Sequence, residues 1–242
     1  MSLRLSRREL MEVTGVTTAG LILGAQTLAL AASPPDSATQ SGVRPSADEV
    51  LRRLLAGNDR FAKGKPLSPR PKPEDLSSLS KGQYPLAAIL GCADSRVPPE
   101  ILFDQGVGDL FVVRVAGNVV SGAGPTVKGS IEYAVAELGV PLVMVLGHSN
   151  CGAVKSALKH IDVQDTLPGA IEELVNLIKP AVAKVQGEPG DKLENAIKAN
   201  VEVGVERLKA LEPILAGSVK QGKVKIVGAT YDLRFGRVTV IA

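Results

Sequence analysis

Tryptophan is absent from this sequence of 242 residues, and cysteine, histidine and aromatic residues are scarce. With two Cys, two His, three Tyr and four Phe, the core must be built mainly from Val, Leu, Ile and Ala. The formal net charge is only +3, and no basic stripe with interleaved aromatic residues is present, which argues against nucleic-acid binding. The 45% content of apolar residues excludes a disordered protein.

Residues 1–32 predict an export signal. Arg7 and Arg8 lie in a Ser-Arg-Arg-Glu-Leu-Met motif of the twin-arginine type, and an uncharged, moderately apolar stretch follows over 13–30. Gly, Thr and Gln make this stretch a poor transmembrane helix, and Ala29 to Ala31 offer a small-residue cleavage site. We expect no stable membrane span in the mature form and export to the periplasm, or to the thylakoid lumen of a photosynthetic organism. An uncleaved membrane anchor is the alternative.

The rest of the chain divides into a short linker and one domain. Residues 33–45 are polar and turn-rich, which predicts a flexible linker, and residues 46–242 are long enough for a single domain. Ser46 and Glu49 form a capping box that opens an amphipathic helix to about residue 62, an N-terminal helical arm. Four prolines between 64 and 75 predict an extended segment.

Strand and helix patterns then alternate. Apolar runs at 86–90, 110–115 and 142–146, bounded by Gly and Pro, are typical of buried parallel strands. Helical patterns cover 126–138, 169–185 and 191–211, a further helix is expected after Cys151, and strands at 224–228 and 238–241 close the domain. This order predicts an α/β fold, a single domain with a mainly parallel central β-sheet flanked by helices.

Two short polar segments directly follow strand candidates, at the edge where parallel sheets build their sites: Cys-x-Asp-x-Arg at 92–96 and His-x-x-Cys at 148–151. Thiolate and imidazole are the ligands that zinc prefers, so Cys92, His148 and Cys151 predict a metal site. Three protein ligands leave a fourth position open, which is typical of a catalytic site. Pairing with Arg96 would keep Asp94 ionised and oriented beside that position.

The combination of these two motifs resembles the β-carbonic anhydrase family, and the similarity runs from about residue 46 to the C-terminus. Segments 91–100, 131–135 and 147–152 all carry it. The resemblance implies one Zn2+ per subunit and the reversible hydration of carbon dioxide to bicarbonate and a proton, by attack of zinc-held hydroxide on CO2. It assigns catalytic roles to Asp94 and Arg96.

Similarity to the plant-like subgroup of that family also implies a substrate pocket. Gln83 would hydrogen-bond the substrate, Phe111, Ala116 and Tyr133 would line an apolar CO2 pocket, and Gly152 would contribute to substrate binding. Ala116 is smaller than the aliphatic residue common at its position. In the family the glutamine and the aromatic residues reach the zinc of a neighbouring subunit, so a homodimer or a higher homo-oligomer is implied.

Three alternatives remain open at this point. Two cysteines in an exported protein often pair, so Cys92 and Cys151 could form a structural disulfide. The chain could bind zinc without catalysis, as a scaffold or sensor. It could also hydrolyse a molecule similar to CO2, such as carbon disulfide, on the same fold.

Overall fold

The computed structural model describes residues 44–69, 72–77, 79–120, 124–163 and 165–242. The predicted export signal and nearly all of the predicted linker lie outside these residues. Within the described ranges, no helix is both long and apolar enough to cross a bilayer.

A five-stranded sheet forms the centre of the domain. Its strands are β1 (Ala87–Gly91), β2 (Leu110–Arg114), β3 (Leu142–His148), β4 (Lys225–Asp232) and β5 (Arg237–Val240), in the spatial order β2-β1-β3-β4-β5. The first four strands are mutually parallel and β5 pairs antiparallel with β4. Every residue of β1 and β3 is buried, as expected for strands covered on both faces. The predicted mainly parallel sheet is confirmed.

Seven α-helices accompany these strands in the described part of the chain. They are α1 (Ala47–Ala62), α2 (Pro99–Leu102), α3 (Pro125–Ala136), α4 (Gly152–Lys159), α5 (Ile171–Lys184), α6 (Lys192–Lys209) and α7 (Leu215–Lys220). Residues of α3 and α6 pack on one face of the sheet, and residues of α1 and α2 pack on the other. A third apolar cluster joins α4, α5 and α6 to Cys92 and Cys151. The helices therefore flank the sheet on both faces, as predicted.

Helix α6 lies unusually close to the sheet because two strand positions lack a side chain. A Cβ placed on Gly147 would lie 2.5 Å from Val201 Cγ2, and one on Gly228 would lie 2.7 Å from Val201 Cγ1. Only glycine allows Val201 to sit over β3 and β4 at this distance.

The observed elements differ from the sequence prediction mainly at their ends. Strand β3 continues two residues beyond the predicted run and includes His148, and β4 extends to Asp232. Sequence patterns did not predict α2 or α7, whose four and six residues are too short for a helical period to be visible. The proline-rich segment is not wholly extended, since a 3-10 helix covers Pro73–Leu76. Ser46 caps α1 as predicted, because its Oγ accepts a hydrogen bond from the Glu49 N–H at 3.2 Å.

Candidate metal centre

The two polar motifs meet at the carboxyl edge of the sheet. Strands β1 and β3 are direct neighbours in parallel register, with Gly91 opposite Leu146. Cys92 follows the last residue of β1, whereas His148 is the last residue of β3. The side chains of 92–96 and 148–151 therefore converge, because the two strands that precede or carry them are adjacent in the sheet.

Three potential metal ligands lie together at this edge. The ligand atoms of Cys92, His148 and Cys151 are all within 4.8 Å of one another. These three residues form the one such cluster found among the described residues. All three side chains are buried. Both cysteines are free thiols, so the alternative of a structural disulfide is not observed.

The imidazole of His148 is prepared for a metal ion. Its Nδ1 lies 2.9 Å from the Ser149 carbonyl oxygen, which can only accept, so Nδ1 carries the proton and donates. Nε2 then presents a lone pair, and this buried atom has no hydrogen-bond partner within the described chain. A buried acceptor without a partner is costly in a folded protein. A cation among the two sulfurs and Nε2 would satisfy it.

The two thiols compete for one proton. The hydrogen bond from Cys151 is the main cause that lowers the pKa of Cys92 to about 4. The same hydrogen bond, together with burial, raises the pKa of Cys151 well above its usual range, although the amides of Ala153 and Val154 oppose this shift. Both sulfurs are held as thiolates only if a cation replaces the shared proton.

Asp94 and Arg96 form a bidentate pair beside the cluster. Arg96 Nε donates to Asp94 Oδ1 at 2.9 Å and Arg96 Nη2 donates to Oδ2 at 2.7 Å. The hydrogen bonds from Arg96 hold the pKa of Asp94 well below its usual range, so this carboxylate is ionised. Asp94 Oδ2 lies 3.9 Å from His148 Nε2, which places it next to the potential metal position without joining the three-ligand cluster.

Cys92 is also oriented by two groups that the sequence analysis did not identify. Arg114 Nε donates to the Cys92 carbonyl oxygen at 2.9 Å, and its Nη2 donates to the Asp94 carbonyl oxygen. The Gly117 N–H points at the Cys92 sulfur, with N···S at 3.3 Å. Arg114 did carry a signal, since it is the single charged residue in the apolar run of β2. The Gly117 contact comes from the backbone and has no comparable signal.

The predicted substrate residues divide into two groups. Gly152 opens α4 directly after Cys151, and Ala116 immediately precedes the Gly117 amide, so both lie near the cluster. Phe111 pairs with Ala88, four residues before Cys92, which is about 13 Å away along the strand.

Gln83 and Tyr133 are also separated from the cluster of their own chain. Gln83 is exposed and precedes the amino end of β1, the end opposite to Cys92. Tyr133 is 48% exposed on α3, and its ring centroid lies 6.2 Å from that of Phe111. The structure thus groups the two aromatic residues with each other, away from the metal ligands.

The residues present fit a zinc ion. Two thiolates and one imidazole nitrogen are ligands that zinc prefers, and an orphaned buried Nε2 needs a partner of this kind. A three-ligand set leaves one coordination position for water or substrate. The donor set therefore suits a catalytic zinc ion better than a closed structural one.

Comparisons with known proteins point to one family. The family profile described as carbonic anhydrase matches residues 87–238. Carbonic anhydrase 2 of Mycobacterium tuberculosis is 42% identical over 190 residues, which cover 78% of this chain and 90% of that protein. A carbonic anhydrase of Mycolicibacterium smegmatis is 42% identical over 187 residues, covering 77% of this chain and 89% of the relative.

Solved structures show the same similarity. A Coccomyxa β-carbonic anhydrase in complex with acetazolamide aligns with a TM-score of 0.63 at 29% identity, over 79% of this chain and 86% of that one. A tetrameric β-carbonic anhydrase from Sordaria macrospora aligns with a TM-score of 0.63 at 27% identity, over 79% and 96% of the two chains.

Proposed function

This chain belongs to the β-carbonic anhydrase family and catalyses the zinc-dependent, reversible hydration of carbon dioxide to bicarbonate, and we propose that Cys92, His148 and Cys151 hold its zinc ion. The observation that carries this assignment is the convergence of two thiols and an unpartnered imidazole nitrogen on one buried point.

Asp94 orients the nucleophile in this proposal. Zinc, when bound, supplies the Lewis acid that makes water nucleophilic near neutral pH. The ionised Asp94 accepts a hydrogen bond from the proton of the attacking oxygen and so directs a lone pair of that oxygen at CO2. Arg96 keeps this carboxylate in place through two side-chain hydrogen bonds, which also keeps Asp94 from turning toward the metal.

A second copy of the chain completes the substrate pocket. Gln83, Phe111 and Tyr133 lie away from their own cluster, and Tyr133 leaves nearly half of its surface exposed at 48%. Tyr133, exposed beside the partly buried Phe111, is suited to an interface, where a partner would cover its ring. We infer a homo-oligomer in which the apolar CO2 pocket at each metal centre combines Ala116 and Gly152 of one copy with the aromatic pair of another.

The first experiment measures CO2 hydration by stopped flow on the zinc-loaded chain 33–242. Asp94→Asn should retain zinc and lose most of the activity, because the neutral amide no longer serves as a pure acceptor beside the nucleophile. Asp165→Asn is the matched control, since Asp165 is a carboxylate paired with His160 just beyond the end of α4. A zinc-loaded, folded wild-type protein without hydration activity would favour the scaffold or the carbon disulfide alternative.

The shared pocket is tested by mixing two inactive variants. One subunit carries His148→Ala, and the other carries Phe111→Ala with Tyr133→Ala. If the pocket serves the neighbouring metal centre, each heterodimer regains one intact site, and activity rises well above that of either parent. If each pocket serves its own metal, no site in the heterodimer is intact, and activity stays at the level of the parents.

We also propose that the enzyme is exported through the twin-arginine route. This route transports proteins that are already folded, so zinc could be bound before export. This proposal rests on residues 1–32 of the sequence alone. Fractionation of cells that express the full chain should place the protein in the periplasm, and replacement of Arg7 and Arg8 by Lys should retain it in the cytoplasm. Equal export of both forms would contradict a twin-arginine signal.

A further inference from the structure

We propose that Asn200 is a positioning residue for the zinc centre, because it anchors the turn whose N–H donates to the Cys92 sulfur. This inference rests on the assignment of Cys92 as a zinc ligand. Asn200 lies on α6, and its side chain is neither a ligand nor a candidate for contact with CO2.

Two hydrogen bonds connect Asn200 to the ligand. Asn200 Nδ2 donates to the Gly117 carbonyl oxygen at 2.8 Å, across 83 residues of sequence. Gly117 in turn donates its N–H to Cys92 Sγ at 3.3 Å. Asn200 is only 5% exposed, so water has little access to replace its amide as the donor.

The turn at 116–118 requires an external anchor. Gly117 and Asn118 both adopt left-handed backbone conformations, with φ of 69° and 46°. Two successive residues of this kind are disfavoured in L-peptides, and Asn118 lacks the freedom of glycine. A tertiary hydrogen bond at the carbonyl between them opposes relaxation of the turn, so the Gly117 N–H stays directed at the sulfur.

Close packing around Gly117 leaves no room for a side chain. A Cβ on Gly117 would lie 2.7 Å from Ile178 Cδ1 of α5 and 3.2 Å from Ala153 Cβ of α4. On the α6 side, the missing side chains of Gly147 and Gly228 let Val201 approach the sheet, and this brings the adjacent Asn200 within reach of the turn. Gly147 and Gly228 therefore affect the metal site indirectly, because they allow α6 to pack close to the sheet.

A backbone N–H donated to a ligating thiolate has two effects. It fixes the direction of the sulfur lone pairs and withdraws part of the charge on the sulfur. Groups that orient metal ligands in this way change metal affinity by roughly 10- to 100-fold when they are removed. Loss of the Asn200 anchor should therefore weaken metal retention while all three ligands remain.

The test compares Asn200→Leu with the wild type as zinc- and cobalt-loaded holoproteins. Leu keeps the branched shape and removes the donor. We expect zinc release into excess chelator to become about tenfold faster or more. In the cobalt form, the thiolate-to-metal charge-transfer band should move to longer wavelength, because the Cys92 sulfur then keeps only the Asp94 N–H, at 3.4 Å, as a backbone donor and holds its electrons less tightly. Asn200→Ala removes the same donor and replaces Asn200→Leu if that variant fails to fold.

Val203→Ala is the control for a merely structural effect. Val203 is 7% exposed on the same helix and packs in a different cluster, with Ala181 and Ala199. It should destabilise the fold without moving the cobalt band or the rate of zinc release. Wild-type metal retention and an unshifted band in the Asn200 variants would overturn the inference. Failure of the wild type itself to bind zinc would instead overturn the ligand assignment.

Discussion

The metal centre and the aromatic pair are two regions of the same domain that differ in how complete they are within one chain. The ligand atoms at the carboxyl ends of β1 and β3 are buried and lie within 4.8 Å of one another in a single chain. Phe111 and Tyr133 also contact each other, but they lie farther back along the sheet and Tyr133 remains 48% exposed. The difference supports our proposal that one chain can hold the metal ion, whereas a second copy completes the apolar pocket.

The largest difference between these regions should appear on removal of a ligand. His148→Ala should abolish zinc binding and CO2 hydration, because two sulfurs alone do not hold the ion in a catalytic geometry. The matched control is His160→Ala, which removes the only other histidine in the sequence. Metal analysis and stopped flow on both variants decide the point. Equal zinc content in the two variants would contradict the role of His148.

A smaller loss of activity should follow when the hydrogen bonds from Arg114 to the loop at 92–94 are weakened. Lys carries all its N–H donors on one nitrogen and lacks the planar guanidinium whose Nε and Nη2 reach the carbonyl oxygens of Cys92 and Asp94 separately, so Arg114→Lys should loosen the loop that carries both residues. We expect activity to fall by roughly 10- to 100-fold, with faster zinc release. Arg53→Lys, an arginine paired with Asp109 elsewhere in the fold, provides the comparison. Wild-type kinetics for Arg114→Lys would show that these two hydrogen bonds are dispensable for activity.

A change in the aromatic pair should affect turnover but leave the metal in place. Tyr133→Ala should lower kcat/KM for CO2 by about tenfold, the magnitude typical of lost contacts in an apolar pocket. Tyr133→Phe keeps the ring and should remain close to wild type. Zinc content is measured in parallel. If Tyr133→Ala instead loses zinc, the aromatic pair also supports the metal centre, and the two regions do not act independently.

On the stability of the fold, zinc removal should have only a modest effect, confined to one region. At a zinc concentration of 100 times Kd, binding stabilises the fold by about 2.7 kcal/mol, so chelation should lower Tm by roughly 5–10 °C. Hydrogen exchange should accelerate at 92–96, 116–118 and 148–152 and remain unchanged on α3. Uniform acceleration over the whole sheet would indicate that zinc supports the entire fold.

Much of the fold could be predicted because its signals are local. Apolar runs of five or more residues marked β1, β2 and β3, and the helical patterns found α3, α5 and α6 within a few residues. Short elements such as α2 and α7 escaped prediction, since four to six residues do not establish a period. The spacing of the Cys, Asp, Arg and His residues was equally local, but their convergence depends on β1 and β3 being neighbours, which only the structure established.

Other features of the site depend on contacts between distant parts of the chain. Nothing in the sequence near Asn200 indicates that its amide faces Gly117, because this contact spans 83 residues and requires α6 to lie close to the sheet. The tautomer of His148 depends on the carbonyl of the adjacent Ser149, and the N–H of Ser149 is bound by the Tyr231 carbonyl oxygen of the distant strand β4 at 2.9 Å.

The sequence by itself determined the candidate ligand set, the strand candidates that precede it and the family to which the chain is similar. These follow from residue type and spacing, which are properties of short segments. Only the tertiary structure decided which groups orient the ligands and that the aromatic pair lies away from its own metal centre. Directional hydrogen bonds and helix-to-sheet distances arise from packing of the whole chain, and no short segment encodes them.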